Sequence, residues 1–166
     1  MFNFFKKRAV ENNTTEALEA VASFLIDDTP TDSPLPHREF LQTEKLDYSL
    51  DSLKYVDEYL SKFRAERGSF NDNDQDIITV ALRCGAYTGE VMRRSGKKEF
   101  TWLTFDQAVK KCGFPKEWSG LSTVYVLNYG ESGVMMPIGK VLKFLDNGEE
   151  DSLYFFAQLG LLPEQK

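Results

Sequence analysis

Glu90, Arg94, Arg83 and Tyr87 are the residues whose types and spacing come nearest to a chemical site. Glu90 and Arg94 stand one helical turn apart, so on a helix they share a face, and Arg83 and Tyr87 continue that line. A carboxylate among arginines suits an anion-binding or acid–base site. The same pattern also makes a solvated helix face, held by an ion pair contributing about 0.3–0.5 kcal/mol. Charged faces are the rule on amphipathic helices, so the solvated face is the preferred reading. A second candidate surface is aromatic: Trp118, Tyr125 and Tyr129, with Trp102. Strand alternation puts Tyr125, Leu127 and Tyr129 on one face and Val124, Val126 and Asn128 on the other. One face covers the helices. The other is either a half-exposed protein-binding patch or an aromatic second side of the core.

Other chemistry finds little support. Glu149, Glu150 and Asp151 form an acidic run where a helix begins, and the positive end of the helix dipole accounts for it. His37 is the single histidine, and Cys84 and Cys112 lack metal-ligand spacing, so no transition-metal site is expected. A Cys112–His37 nucleophile pair stands in no recognised motif, and Ser122 and Ser132 lack the elbow spacing of hydrolases. Gly130-Glu131-Ser132-Gly133 has no lysine after it and reads as a hairpin turn, not a phosphate loop.

The element that must position these residues is a helix from Asp74 to Gly96. Ile78, Ala81, Leu82, Gly85, Thr88, Gly89 and Met92 recur on one face at three- and four-residue steps. Residues 71–74 offer caps, and the basic residues Arg93, Arg94, Lys97 and Lys98 suit the C-terminal end. Gly85 and Gly89 each cost about 1 kcal/mol against alanine in a helix interior. Close approach by another element would offset that cost, which makes this helix the expected buried axis. A preceding helix, from a Ser49 cap to about Glu66 and closed by Gly68, is the expected occupant of the glycine strip.

Upstream, Asn13 to Ile26 reads as a helix with Leu18, Val21, Ala22 and Leu25 inward. Pro30, Pro34 and Pro36 make Asp27 to Thr43 an extended connection. Downstream, Glu99–Phe105 and Ser122–Tyr129 read as strands, and Val134–Met136 as the return of a hairpin. Between them Thr104 and Gln107 form a capping box for a short helix. Pro137 opens a further helix, and a last one runs from Glu150 or Asp151 to about Leu159. The expected fold is α+β: a helical hairpin and C-terminal helices packed with a small antiparallel sheet of about three strands. Residues 1–45 form the N-terminal helix and proline-rich connection, and 46–162 a single core domain.

At 166 residues the chain suffices for one core, and 13 phenylalanines make that core aromatic. A net charge of −6 and a pI near 4.9 argue against a nucleic-acid binder. Two cysteines are no disulfide framework and fit a reducing cytoplasm. The charged start, residues 1–8, does not read as a secretory signal or a stable membrane insertion, and a frayed or docked terminus describes it better than a membrane-surface contact.

Three stretches, LDYSLDSLKYVDEYL (46–60), GAYTGEVMRRSG (85–96) and KVLKFLDNGEEDSLYFF (140–156), resemble a group of small uncharacterised bacterial proteins. Those proteins carry a GAYxGEVxRR-type helix and a late NGxxDSLYxF segment. The resemblance covers residues 46–157 and implies a bacterial, cytoplasmic protein with no catalytic residues to carry over. It also implies an immunity or accessory partner of the kind encoded beside toxins. The expected function is therefore binding of a protein partner, without cofactor, metal or nucleic acid, and with homo-oligomerisation open. The alternative is an enzyme with a polar site on the Arg83/Glu90/Arg94 face or around His37.

Overall fold

Helix α3 (Gln75–Arg94) is the axis of the protein, and every residue from Arg83 to Met92 on it is buried. The computed structural model describes residues 2–29, 32–69, 71 and 73–163, with side chains from Asn13 onward. The reading of the Met1–Arg8 start therefore concerns side chains outside those described. Asp74 caps α3 through its Oδ1, which accepts from the Asp76 amide at 2.9 Å. Arg93 and Arg94 occupy the last turn, and Gly96 beyond it takes φ 68°.

Around α3 the chain places helices α1 (Phe2–Asp27), α2 (Leu53–Arg67), α4 (Phe105–Cys112), α5 (Pro137–Asn147) and α6 (Leu153–Gly160). A three-stranded antiparallel sheet completes an α+β fold: β1 (Phe100–Thr104), β2 (Tyr125–Tyr129) and β3 (Gly133–Met135), in that order. Thr104 and Gln107 make the full capping box expected for α4, and Pro137 opens α5.

The two glycines of α3 are seats for neighbours, but not for α2. A Cβ on Gly85 would lie 2.7 Å from Ile138 Cα of α5, and one on Gly89 would collide with the Trp102 indole of β1. The strip thus admits a helix backbone at one position and an indole at the next. Helix α2 lies instead against α5 and α6, with Leu53, Val56, Tyr59, Leu60 and Phe63 inward.

Helix α1 departs from the sequence reading at its start, which lies at Phe2 and not at Asn13. Its inward residues Leu18, Ala22 and Leu25 join the same core as α3. Two arginines fasten its C-terminal end. Arg83 donates to the Phe24 carbonyl at 3.0 Å, and Arg38 donates to the Leu25 and Ile26 carbonyls. Carbonyls of the last turn, which have no partner within a helix, thereby acquire cationic donors. The proline-rich connection that follows is irregular but tied down: Leu35 and Leu41 are buried, and Tyr59 Oη donates to the Pro36 carbonyl at 2.7 Å.

The sheet is covered on both faces. Trp102 and Leu127 join the main core, while Leu103, Val126 and Ala108 form a smaller one under α4. Helix α1 packs alongside β1, and among the described residues no strand pairs with the outer side of β3.

Candidate functional site

Arg83, Tyr87 and Glu90 of α3 do not form a solvated face, whereas Arg94 stays exposed to water. Glu90 has no exposed surface, Tyr87 none, and Arg83 only 5%. Glu90 accepts four hydrogen bonds. Its Oε1 takes Trp102 Nε1 at 2.9 Å and Arg93 Nε at 3.0 Å, and its Oε2 takes Arg93 Nη2 at 2.9 Å and Arg94 Nε at 3.1 Å. Arg93 also reaches Glu19 of α1. The reason is steric as much as electrostatic. Gly89 lets the Trp102 ring sit on the helix backbone, which carries its indole N–H to the neighbouring carboxylate.

The site continues outward from Glu90. The Arg94 guanidinium lies 3.7 Å from the centre of the Tyr48 ring, and that ring stacks on Tyr87 at 4.8 Å. Tyr48 adopts φ 61°, an uncommon conformation for an aromatic residue, and the Tyr87 hydroxyl holds its amide at 2.9 Å. Ser52 gives its proton to the Ser49 carbonyl at 2.6 Å, so the 2.8 Å contact between Tyr87 and Ser52 is donated by Tyr87. Burial pushes both phenols above their ordinary range.

Arg83 belongs to a different cluster. It donates to Phe24 O, to Asp28 Oδ1 at 2.5 Å and to Ser33 O at 2.7 Å, and so pins the proline-rich connection to α1. Burial opposes ionisation of Asp28, but the Leu35 amide and the Arg83 guanidinium outweigh it and hold that carboxyl below its ordinary value. His37 lies elsewhere again, stacked on Phe40 at 5.3 Å, and Cys112 contacts Asn128 at 3.6 Å. The histidine and the cysteine share no partner among the described residues. Tyr125 and Tyr129 pack on the main core, whereas Trp118 is exposed and touches Phe114.

Among the described residues, every buried side-chain nitrogen and oxygen has a hydrogen-bond partner. The buried polar groups are therefore committed to one another. Glu90 in particular has two donors on each oxygen, and none of those contacts leaves it aimed at a ligand.

Among the described residues, Trp118 and three side chains on or just past α6 are the large apolar groups left exposed. Phe155 is 61% exposed, Leu159 67% and Leu162 53%, at a spacing of four and then three residues. They form one apolar stripe along the helix and just past its end. A cleft of about 550 Å³ lies on the side toward α2, lined by Lys54, Asp57, Lys62, Phe144, Tyr154 and Phe155 among others. A second, of about 390 Å³, lies on the side toward α5 and β3 and is lined in part by Phe156. At the start of the stripe, Phe155 borders the first hollow and its neighbour Phe156 the second.

Asp57 explains how α6 is held there. Its Oδ1 accepts from the Leu153 amide at 2.8 Å, and its Oδ2 from Ser152 Oγ at 2.6 Å and the Tyr154 amide at 3.3 Å. A carboxylate of α2 thereby caps the N-terminus of α6 from across the cleft. Burial pushes the Asp57 carboxyl above its ordinary value, against these hydrogen bonds. The acidic run before α6 is also committed in part: Asp151 pairs with Lys140 at 2.5 Å, and Glu149 accepts from Ser61 at 3.3 Å.

Sequence reading missed Asp57 and the α6 ridge. Ser152 before an apolar run was a legible cap, because its Oγ accepts from the Phe155 amide. The run LYFF shows apolar residues all round α6, but it does not show which side stays bare. Among the described residues no helix is long and apolar enough to cross a membrane. No protein-family model, curated protein or solved structure significantly matches the chain.

Proposed function

We propose that the chain is a protein-binding domain of the bacterial cytoplasm, of the immunity or accessory type implied by its resemblance, and that α6 is its contact surface. The observation that carries this reading is the exposed register of Phe155, Leu159 and Leu162, which begins beside a cleft that Phe155 lines. Binding energy at interfaces concentrates on a few apolar or aromatic anchors seated in pockets. The ridge supplies such anchors, and the larger cleft offers room for one from the partner. Its rim carries Lys54 and Lys62 beside Glu58 and Glu149, a mixed polar border of the kind that surrounds interface cores. The net charge of −6 favours a protein over a nucleic acid. The buried polar groups of α3, each already paired, fit a scaffold better than a catalytic centre.

The test is photo-crosslinking in the cells that make the protein, with benzoylphenylalanine at position 159 and, as control, at the exposed position 66. A discrete heavier adduct from position 159 and none from position 66 is expected. Equal labelling at both positions, or none at 159, would remove α6 from the account.

A further inference from the structure

The cleft between α2 and α6 carries more negative charge than its lysines neutralise. Its charged lining is Asp57, Glu58 and Glu149 against Lys54 and Lys62. Both lysines are already matched by nearby acids of the chain, Lys62 by Glu58 at 2.7 Å and Lys54 by Asp51 at 2.6 Å. Arg64 stands beside Gly148 but outside the lining, and it gives its Nε and Nη2 to the Leu145 and Asp146 carbonyls. Glu149 is exposed and accepts from Ser61 Oγ at 3.3 Å, a neutral donor. Asp57 likewise accepts from two amides and a hydroxyl. Burial raises the Asp57 carboxyl, and the Glu149 charge adds to the effect, so the two carboxylates share one negative field.

The other walls are aromatic: Phe144 of α5 with Tyr154 and Phe155 of α6. Tyr154 and Phe155 meet edge to face at 5.3 Å, and the Lys54 ammonium lies 4.5 Å from the centre of the Tyr154 ring. A ring of this cleft therefore already receives a cation. A guanidinium suits such walls better than an ammonium does, because it stacks flat on a ring and donates in a fork to a carboxylate. The net charge of −6 adds a general attraction for a basic partner.

We propose that this cleft receives an arginine side chain of the partner, its guanidinium paired with Glu149 and laid against Phe155, while a neighbouring apolar residue of the partner covers the α6 stripe. Arginine is among the residues that carry most of the energy at interfaces. The proposal rests on the reading of the chain as a protein-binding domain and adds the chemistry of the anchor.

The probe is the capped tripeptide acetyl-Leu-Arg-Leu-amide, titrated into the full-length chain and followed by NMR. Citrulline and lysine replace the arginine in two comparison peptides. Amide resonances of Ser61, Tyr154 and Phe155 should shift saturably. Citrulline keeps the shape without the charge and should bind roughly fivefold more weakly, and lysine roughly threefold. Glu149→Gln keeps an acceptor for Ser61 on an exposed side chain. It should weaken the arginine peptide roughly fivefold and leave the citrulline peptide unchanged. Glu44→Gln removes the same charge from an exposed position that does not line the cleft, and should leave both peptides unchanged.

No saturable shift, equal binding of the arginine peptide and either comparison peptide, or shifts confined to other surfaces would overturn the proposal. So would a Glu149→Gln loss shared by the citrulline peptide or matched by Glu44→Gln. Absence of an arginine preference with an intact position-159 crosslink would remove the arginine site and leave the α6 stripe. An arginine preference without that crosslink would do the reverse.

Discussion

Replacing Glu90 by alanine should destabilise the protein by about 3 kcal/mol, a figure built from its separate partners. The Trp102 indole N–H is fully buried and would lose its acceptor, which costs about 1–3 kcal/mol. Breaking a wholly buried ion pair costs about 3–5 kcal/mol. That figure is too high here, because the Arg93 and Arg94 side chains are 26% and 41% exposed and water can replace part of what they lose. Their share falls toward the surface value of about 0–1 kcal/mol each. Arg93 also keeps Glu19. For a chain of this size the total corresponds to a fall in Tm of roughly 6–12 °C. Glu90→Gln should lose about half as much, since the amide retains one acceptor but turns its NH₂ toward other donors. Urea and thermal unfolding read both variants. A Glu90→Ala protein within about 0.5 kcal/mol of wild type would return α3 to a solvated polar face and refute the geometry.

Three further perturbations test the frame. Gly85→Ala gains about 1 kcal/mol of helix propensity but meets the Ile138 backbone, so overpacking of roughly 1–3 kcal/mol should prevail; a stabilised variant would mean that α3 and α5 are further apart. Arg83→Met keeps the buried stem and strands the Phe24 and Ser33 carbonyls and Asp28, so it should cost about 2 kcal/mol and raise hydrogen exchange first around residues 24–35; uniform exchange would count against the pin. Asp57→Ala should lose about 1–3 kcal/mol because the Leu153 and Tyr154 amides lose their acceptor, whereas Asp57→Asn keeps one acceptor but turns its NH₂ toward the other amide and should lose about half as much at pH 7. The sign with pH follows from burial raising the Asp57 carboxyl above its ordinary 3.8. The folded state binds that proton more tightly, so this residue's stabilising contribution is fully present below 3.8 and is lost as pH rises through the raised value. Wild type should therefore gain on Asp57→Asn during acidification from neutrality toward pH 4, and a constant difference would contradict the burial.

Much of the frame was legible because its causes are local. The period of α3, the Thr104–Gln107 box, Pro137 at the start of α5 and the Gly130–Gly133 turn each act within a few residues. The glycine strip was legible as a place of close approach, but not as to who approaches. Ile138 and Trp102 lie far along the chain, and the nearer helix α2 was a natural but wrong occupant. The charge pattern of α3 misled for a related reason. An i,i+4 pair looks the same whether water or Trp102 stands over it, and the indole arrives from a strand whose register the helix does not encode. Asp57 was illegible in kind, since a cap supplied from another helix leaves no spacing to read.

The central claim is that α6 carries the contact surface, and the sharpest measurement is calorimetric titration of the partner captured at position 159. The chain is titrated as wild type and as Leu159→Glu, a change at a 67% exposed side chain that should leave Tm unaltered. The account predicts a loss of affinity of roughly 30-fold or more for the variant, the range of an interface hot spot. Equal affinities for the two proteins at equal Tm would contradict it.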